Sequence, residues 1–196
     1  MRSLVIVAAL ASSASASPSY YAASTPTERS APAIQRFGYR LGFGQLPLSG
    51  HPNFVFSIGL NFDQHLVGKL RLLGEYDWLW TESRDPEATA RMTPPEYGDG
   101  HRVQIGLRYN LARTRSLPVR VFIDAELGGG AALVTDNLTG TRFLPTGFTG
   151  LRLGYDVRTR NPDSPSRMFT AEFTVRAIAI DHGIGVMGGV GMQWGN

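Results

Sequence analysis

The stretch Leu66 to Trp80, LVGKLRLLGEYDWLW, limits the possible folds more than any other part of this chain. Read at a period of two, its even positions are Leu66, Gly68, Leu70, Leu72, Gly74, Tyr76, Trp78 and Trp80, and its odd positions include Lys69, Arg71, Glu75 and Asp77. On a helix, residues two apart fall on widely separated faces, so these charges would scatter; on a strand they share one face. The segment is therefore expected to be a β-strand with one apolar, aromatic-ended face and one charged face. At about 3.3 Å per residue it is long enough to cross a bilayer core, which takes roughly 9 to 11 tilted residues.

The same alternation recurs seven more times from Arg36 onward. The apolar faces are led by Phe37, Phe54, Val103, Val119, Thr149, Phe169 and Ile184, each followed at every second position by further apolar residues. Eight strands are thus predicted. Their opposite faces carry Arg40, Asp63, Lys69, Arg71, Glu75, Asp77, Arg102, Arg108, Arg120, Asp124, Glu126, Arg152, Asp156, Arg158, Glu172 and Arg176, interspersed with Gly, Ser, Thr, Asn and Gln.

Which face meets the solvent decides the class. In a soluble sandwich or lipocalin-like barrel the charged face would look at water and the apolar face would form the core. In a membrane barrel the faces exchange, with apolar residues toward lipid and charges paired inside. Three features favour the exchange. Tyr76, Trp78, Trp80, Tyr109, Tyr155 and Trp194 sit mostly toward strand ends on the apolar face, where aromatic girdles meet a bilayer interface. Glycines such as Gly38, Gly42, Gly59, Gly106, Gly128, Gly150 and Gly154 fall on the polar face, which suits a crowded interior. Lys69 is the sole lysine among 19 basic residues, and arginine is the cation suited to pairing away from bulk water.

Composition agrees once this alternation is recognised. Hydrophobic residues make up 42% of the 196, yet mean hydropathy is only -0.11, because lipid-facing and lumen-facing residues cancel. The net charge of +3 is spread among alternating acids and bases with no basic stripe, so nucleic acid is not an expected partner. There is no cysteine, which excludes disulfides, thiolate metal sites and thiol nucleophiles.

Before the strands, residues 1–16 read as a secretory signal peptide: Arg2 is the positive n-region, Leu4 to Leu10 the apolar run, and Ala14, Ser15 and Ala16 the cleavage site. Residues 17–35, rich in Ser, Ala, Pro and Thr, read as a flexible leader, and 36–196 as the barrel. All twelve prolines are expected in the leader, between strands or at the strand start Pro118. The connections are expected to alternate in length, with a tight Asp63-Gln64-His65 turn and long loops over 81–100 and 131–146.

Together these residues resemble the small eight-stranded outer-membrane barrels typified by the OmpA transmembrane domain and OmpX. The final VMGGVGMQW matches their terminal pattern through Val186, Val190, Met192 and Trp194, although Gly195 and Asn196 follow the aromatic. The resemblance implies placement in the cell outer membrane, contact with its lipid, and recognition of the last strand by the insertion machinery.

No catalytic, cofactor-binding or metal-binding constellation is expected. Gly183 to Gly188 spell G-x-G-x-x-G, but no helix can follow and no acidic residue lies about 20 positions on. His51, His65, His101 and His182 lack zinc-binding spacing. Asp181 with His182, and Asp99 with His101, leave a rim hydrolase as a remote alternative; Gly183 and Ile184 after His182 depart from the His-x-Ser of barrel-fold lipid A deacylases.

The expected fold is therefore an all-β, eight-stranded antiparallel up-and-down transmembrane barrel. Its lumen would be filled by a charge network of Arg40, Lys69, Arg71, Glu75, Asp77, Arg108, Arg120, Asp124, Glu126, Arg152, Asp156, Glu172 and Arg176. The expected role is structural or surface-interaction, with an extracellular ligand held by loops 81–100 and 131–146. A secreted, soluble lipocalin-like ligand-binding barrel is the alternative.

Overall fold

The computed structural model describes residues 35–48, 51–83, 96–114, 119–136, 140–159 and 167–195. The signal-peptide and leader expectations lie outside them, apart from Gln35, which already belongs to the first strand. The strands are β1 (Gln35–Leu48), β2 (His51–Val67), β3 (Leu70–Ser83), β4 (Glu96–Arg113), β5 (Val119–Asp136), β6 (Gly140–Thr159), β7 (Arg167–Ile180) and β8 (Gly183–Gly195). Each pairs antiparallel with the next. β8 returns to β1 along a ladder running from Arg36 opposite Gly195 to Gln45 opposite Val186, so the barrel closes and the sheet edge is abolished.

The faces are exchanged relative to a soluble barrel. On β1, Phe37, Tyr39, Leu41 and Phe43 are exposed, whereas Arg36 and Arg40 are buried. On β4, Ile105 is 62% exposed while Arg108 is 0% exposed. Water could not be the solvent of such an outer wall: each large aliphatic group left wet forgoes about 1.5–3 kcal/mol of burial.

The interior has two zones where the sequence suggested one. Charged and amide side chains line the end near Gln35 and Gly195 and fill the middle. Toward the opposite end, inward-facing Leu46, Leu48, Val134, Leu144, Ile178 and Ile180 belong to a buried apolar cluster. That plug falls on the face read as polar, because these strands run on past the charged tiers.

Several strand ends differ from expectation for identifiable reasons. Leu66 to Trp80 is not one strand: β2 continues through Asp63, Gln64 and His65, bulges between His65 and Val67, and turns at Gly68 and Lys69 into β3. Gly68 has a φ of 56°, the left-handed value a tight turn requires. Lys69 therefore stands exposed in this turn, at the edge of the barrel mouth and outside the luminal ion pairs, its Nζ 5.9 Å from the Tyr109 ring centroid.

The proposed 131–146 loop is mostly a ladder, Ala131 opposite Pro145 to Asp136 opposite Gly140, with only 137–139 outside the described residues. The 81–100 loop likewise shrinks to 84–95, also outside them, because Ser83 pairs with Glu96. A bulge at Leu111, between Asn110 and Ala112, changes the parity of the last β4 residues and brings Arg113 to the luminal Asp156.

Three prolines also lie within strands. Pro47 faces Pro52 beyond the last β1–β8 pair and the last β2–β3 pair, and Pro145 lies beyond the last β6–β7 pair. All three stand on two-sided extensions where one neighbour has ended, so the missing N–H breaks no second ladder.

The only non-glycine residues with positive φ among those described are Asp181 (48°) and His182 (66°), which make the β7–β8 turn. Both types tolerate the left-handed region better than most.

Glycine makes room for the two aromatic rings that enter the lumen. A Cβ at Gly154 would lie 2.5 Å from Cζ of Phe122, and one at Gly106 2.8 Å from Cζ of Phe148. Both rings are buried and inward-facing. Gly154→Val is expected to destabilise the barrel by at least about 1–3 kcal/mol through overpacking, read as a lower transition temperature of heat-modifiable gel mobility. An unchanged transition would show that both Phe122 and the Ala171 carbonyl, also 2.5 Å from that Cβ, give way.

Candidate functional site

Charge placement in the lumen follows from register. On β4 to β7 the inward residues are even-numbered, while on β2 and β3 they are odd, and the arginines and acids fall on those positions. The result is a chain of ion pairs across six strands. Arg40 Nη1 donates to Glu75 at 2.8 and 2.9 Å. Glu75 also accepts from Arg176 Nη2 at 2.8 Å and from its Nη1. Arg176 Nε donates to Glu126 at 2.7 Å, and Glu126 accepts from Arg108 Nε at 2.6 Å. Arg108 Nη1 then reaches Asp63 at 2.8 Å, and Arg71 Nε reaches the same carboxylate at 2.6 Å.

Two smaller clusters and one further ion pair flank this chain. Arg152 donates to Asp124 at 2.7 Å, to Glu172 at 2.5 Å and to Gln193 at 3.1 Å; Asn61 also donates to Glu172, at 3.1 Å. Nearer the strand ends by the termini, Asp156 accepts from Arg36 and Thr170 at 3.1 and 2.7 Å and from Arg113. On the other side of the main chain, Arg102 Nη2 donates to Asp77 at 2.7 Å below the apolar plug.

Of the thirteen residues named from the sequence, eleven make these contacts. Lys69 is in the turn, and Arg120 is half-buried at the luminal mouth with its Nε lacking a hydrogen bond. Arg36, Asp63, Arg102 and Arg113 complete the network and were not among the thirteen. Asp63 and Arg102 share the polar parity of their strands, so that signal was present; Arg36 stood at the expected barrel start, where a single turn of pattern carries little weight.

The two buried phenylalanines act as platforms. The Arg152 guanidinium lies 4.4 Å from the Phe122 ring centroid, and that of Arg176 4.5 Å from Phe148. A ring face replaces water on the one side of each guanidinium that no carboxylate reaches. Both rings are in phase with charged neighbours, the signal that could have placed them inside.

The six named aromatics all point outward and divide between the two ends. Trp194 meets Phe169 and Tyr39 near the termini, at centroid distances of 5.8 and 5.9 Å. Tyr109 and Tyr155 also belong to that end, opposite Leu70 and Ala171. Toward the other end, Trp78 packs on Trp80 at 4.4 Å and Trp80 on Phe56 at 5.6 Å. His101 completes this group, its Nδ1 2.8 Å from the Tyr76 hydroxyl and its ring stacked beside Trp78. Asp181 is engaged by Arg142 at 3.3 Å. Among the described residues, no three His, Cys, Asp or Glu side chains stand together in a metal-binding group.

No family model and no curated protein matches the sequence. Solved structures do show likeness. Neisserial surface protein A is similar at 15% identity and a TM-score of 0.49, over 82% of this chain and 95% of that one. The N-terminal β-barrel domain of Pseudomonas aeruginosa OprF is similar at 11% identity and a TM-score of 0.42, over 82% and 97%. The Yersinia pestis outer membrane protein Ail, in a phospholipid bilayer nanodisc, is similar at 11% identity and a TM-score of 0.42, over 82% and 99%.

Glu75 is the carboxylate that holds Arg40, so its loss strands that buried cation and leaves Arg176 with Glu126 alone. Glu75→Ala is expected to cost about 3–5 kcal/mol, as breaking a buried pair does. Glu75→Gln should cost less, since one oxygen still accepts. Thermal mobility shifts of the two variants test this, and equal, small effects would contradict a tightly paired lumen.

Proposed function

We propose that this chain is a bacterial outer-membrane barrel with a sealed lumen, and that its role is structural or surface-interaction rather than catalytic or pore-forming. The observation that carries this reading is the continuous apolar outer wall with aromatic clusters at both ends, surrounding an interior of paired arginines and carboxylates. A lipocalin-like ligand carrier needs the reverse: a greasy cavity and a polar coat. Here the lumen is occupied by side chains, first the ion-pair chain and then the apolar plug.

The outer wall is matched to lipid as its partner. β8 presents Val186, Val190, Met192 and Trp194 outward, the side from which insertion machinery would read it. With both ends of the barrel segment on the periplasmic side, the β5–β6 hairpin and the strand ends at Ser83 and Glu96 lie on the extracellular side. They are the contact surfaces in this reading, in place of the two broad loops expected from the sequence. His101, lodged among Tyr76 and Trp78 on the outer wall, serves the interface and not a hydrolytic site. Asp181 and His182 serve the turn.

Alkaline carbonate washing of cell membranes is expected to leave the protein in the pellet, with release only by detergent. In planar bilayers the purified barrel is expected to show no stable conductance steps. Recovery in the aqueous wash, or steady ohmic conductance, would contradict the reading.

A further inference from the structure

At the mouth near Gln35 and Gly195 the lumen holds a cavity of about 230 Å3. Among the described residues its lining is strongly one-signed: Arg36, Lys69, Arg71, Arg113 and Arg152 line it, with Asp124 the one carboxylate among them. Asp124 is already taken, by Arg152 at 2.7 Å and by Asn110 Nδ2 at 2.7 Å. Arg36 and Arg113 share the single carboxylate of Asp156. Arg71 uses Nε on Asp63, which Arg108 also holds, and its Nη2 is buried without a hydrogen-bond partner. Arg120, half-buried on β5 opposite Asp156, likewise leaves Nε unbonded.

The middle of the lumen balances its charges and this mouth does not. In the central chain, Glu75 serves Arg40 and Arg176, and Glu126 serves Arg176 and Arg108, so each of these acids is already shared between two arginines. A buried guanidinium N–H without an acceptor is costly, and several like charges around one cavity repel. An anion entering the cavity relieves both.

The geometry points to this mouth as a binding site for a compact polyvalent oxyanion of the phosphate class, held between Arg71 and Arg36 inside and Lys69 and Arg113 at the rim. Guanidinium forks match the paired oxygens of such a group, and a charge of two or more suits a site walled by five cations. At about 30 Å3 per water in the liquid, the space is ample for a pyrophosphate. The site is independent of which membrane holds the barrel. The phosphate can come from solution or from a lipid headgroup at the membrane surface, since the mouth opens where the strands leave the bilayer.

The test uses the full chain folded in a phosphate-free, non-ionic detergent and titrated calorimetrically with sodium pyrophosphate and, separately, with a short-chain phosphatidic acid. Binding of pyrophosphate assigns a soluble ligand, and binding of the lipid alone assigns a headgroup. In either case Lys69→Gln combined with Arg113→Gln should weaken binding about tenfold or more, as should raised salt. Folding of the variant is checked by heat-modifiable mobility. Should it fail to fold, Lys69→Gln alone, in the exposed turn, is the replacement and is expected to weaken binding in the same direction. No binding of either probe, or binding that a folded variant leaves unchanged, overturns the site.

Discussion

The pairing of arginine with carboxylate inside a closed wall is the interaction on which the rest of this structure depends. An eight-stranded barrel has an interior just wide enough for side chains to fill. Burying isolated charges there would cost several kcal/mol each, and only multiple short hydrogen bonds offset that. Glu75, Glu126 and Asp63 each bridge two arginines from different strands, so the network ties β1, β2, β3, β4, β5 and β7 together across the lumen. Once charge is committed to the inside, the outer positions of the strands are left to apolar residues, a wall suited to hydrocarbon.

That commitment explains the packing around it. Arginine is long and needs empty neighbours, so glycines stand opposite it: a Cβ at Gly150 would sit 2.7 Å from Cγ of Arg176. Phe122 and Phe148 fill what glycine leaves and lie flat beneath the guanidinium groups of Arg152 and Arg176. Where the charges stop, toward the far end, Leu46, Ile180 and their neighbours close the lumen by ordinary hydrophobic packing. The two ends therefore differ chemically: one is lined by apolar side chains, the other mostly by cations.

Much of this was legible in the sequence because parity is a strong signal. A slip of one residue would turn every charge toward lipid, so alternation names the face of each position within a strand. It does not name the strand's ends. The polar Asp63-Gln64-His65 run looked like a turn, yet Asp63 is a hub of the network and the real turn waits for Gly68. Ala131 to Thr146 looked like a loop because small and polar residues interrupt the apolar pattern, although the β5–β6 ladder runs on through most of it. Arg36 and Arg113 were missed for a related reason: one opens its strand, and the other is brought inward by a bulge that parity counting cannot see.

Contact between hydrocarbon chains and individual methyl groups tests the central claim most directly. With isoleucine, leucine and valine methyls labelled and the folded barrel placed in lipid nanodiscs, nuclear Overhauser contacts from acyl chains should reach Leu72, Ile105 and Val121. They should be absent at Leu46, Leu79 and Ile178, which are fully buried in the barrel. Acyl contacts at Leu79 and Ile178, with Ile105 protected from lipid, would contradict the account.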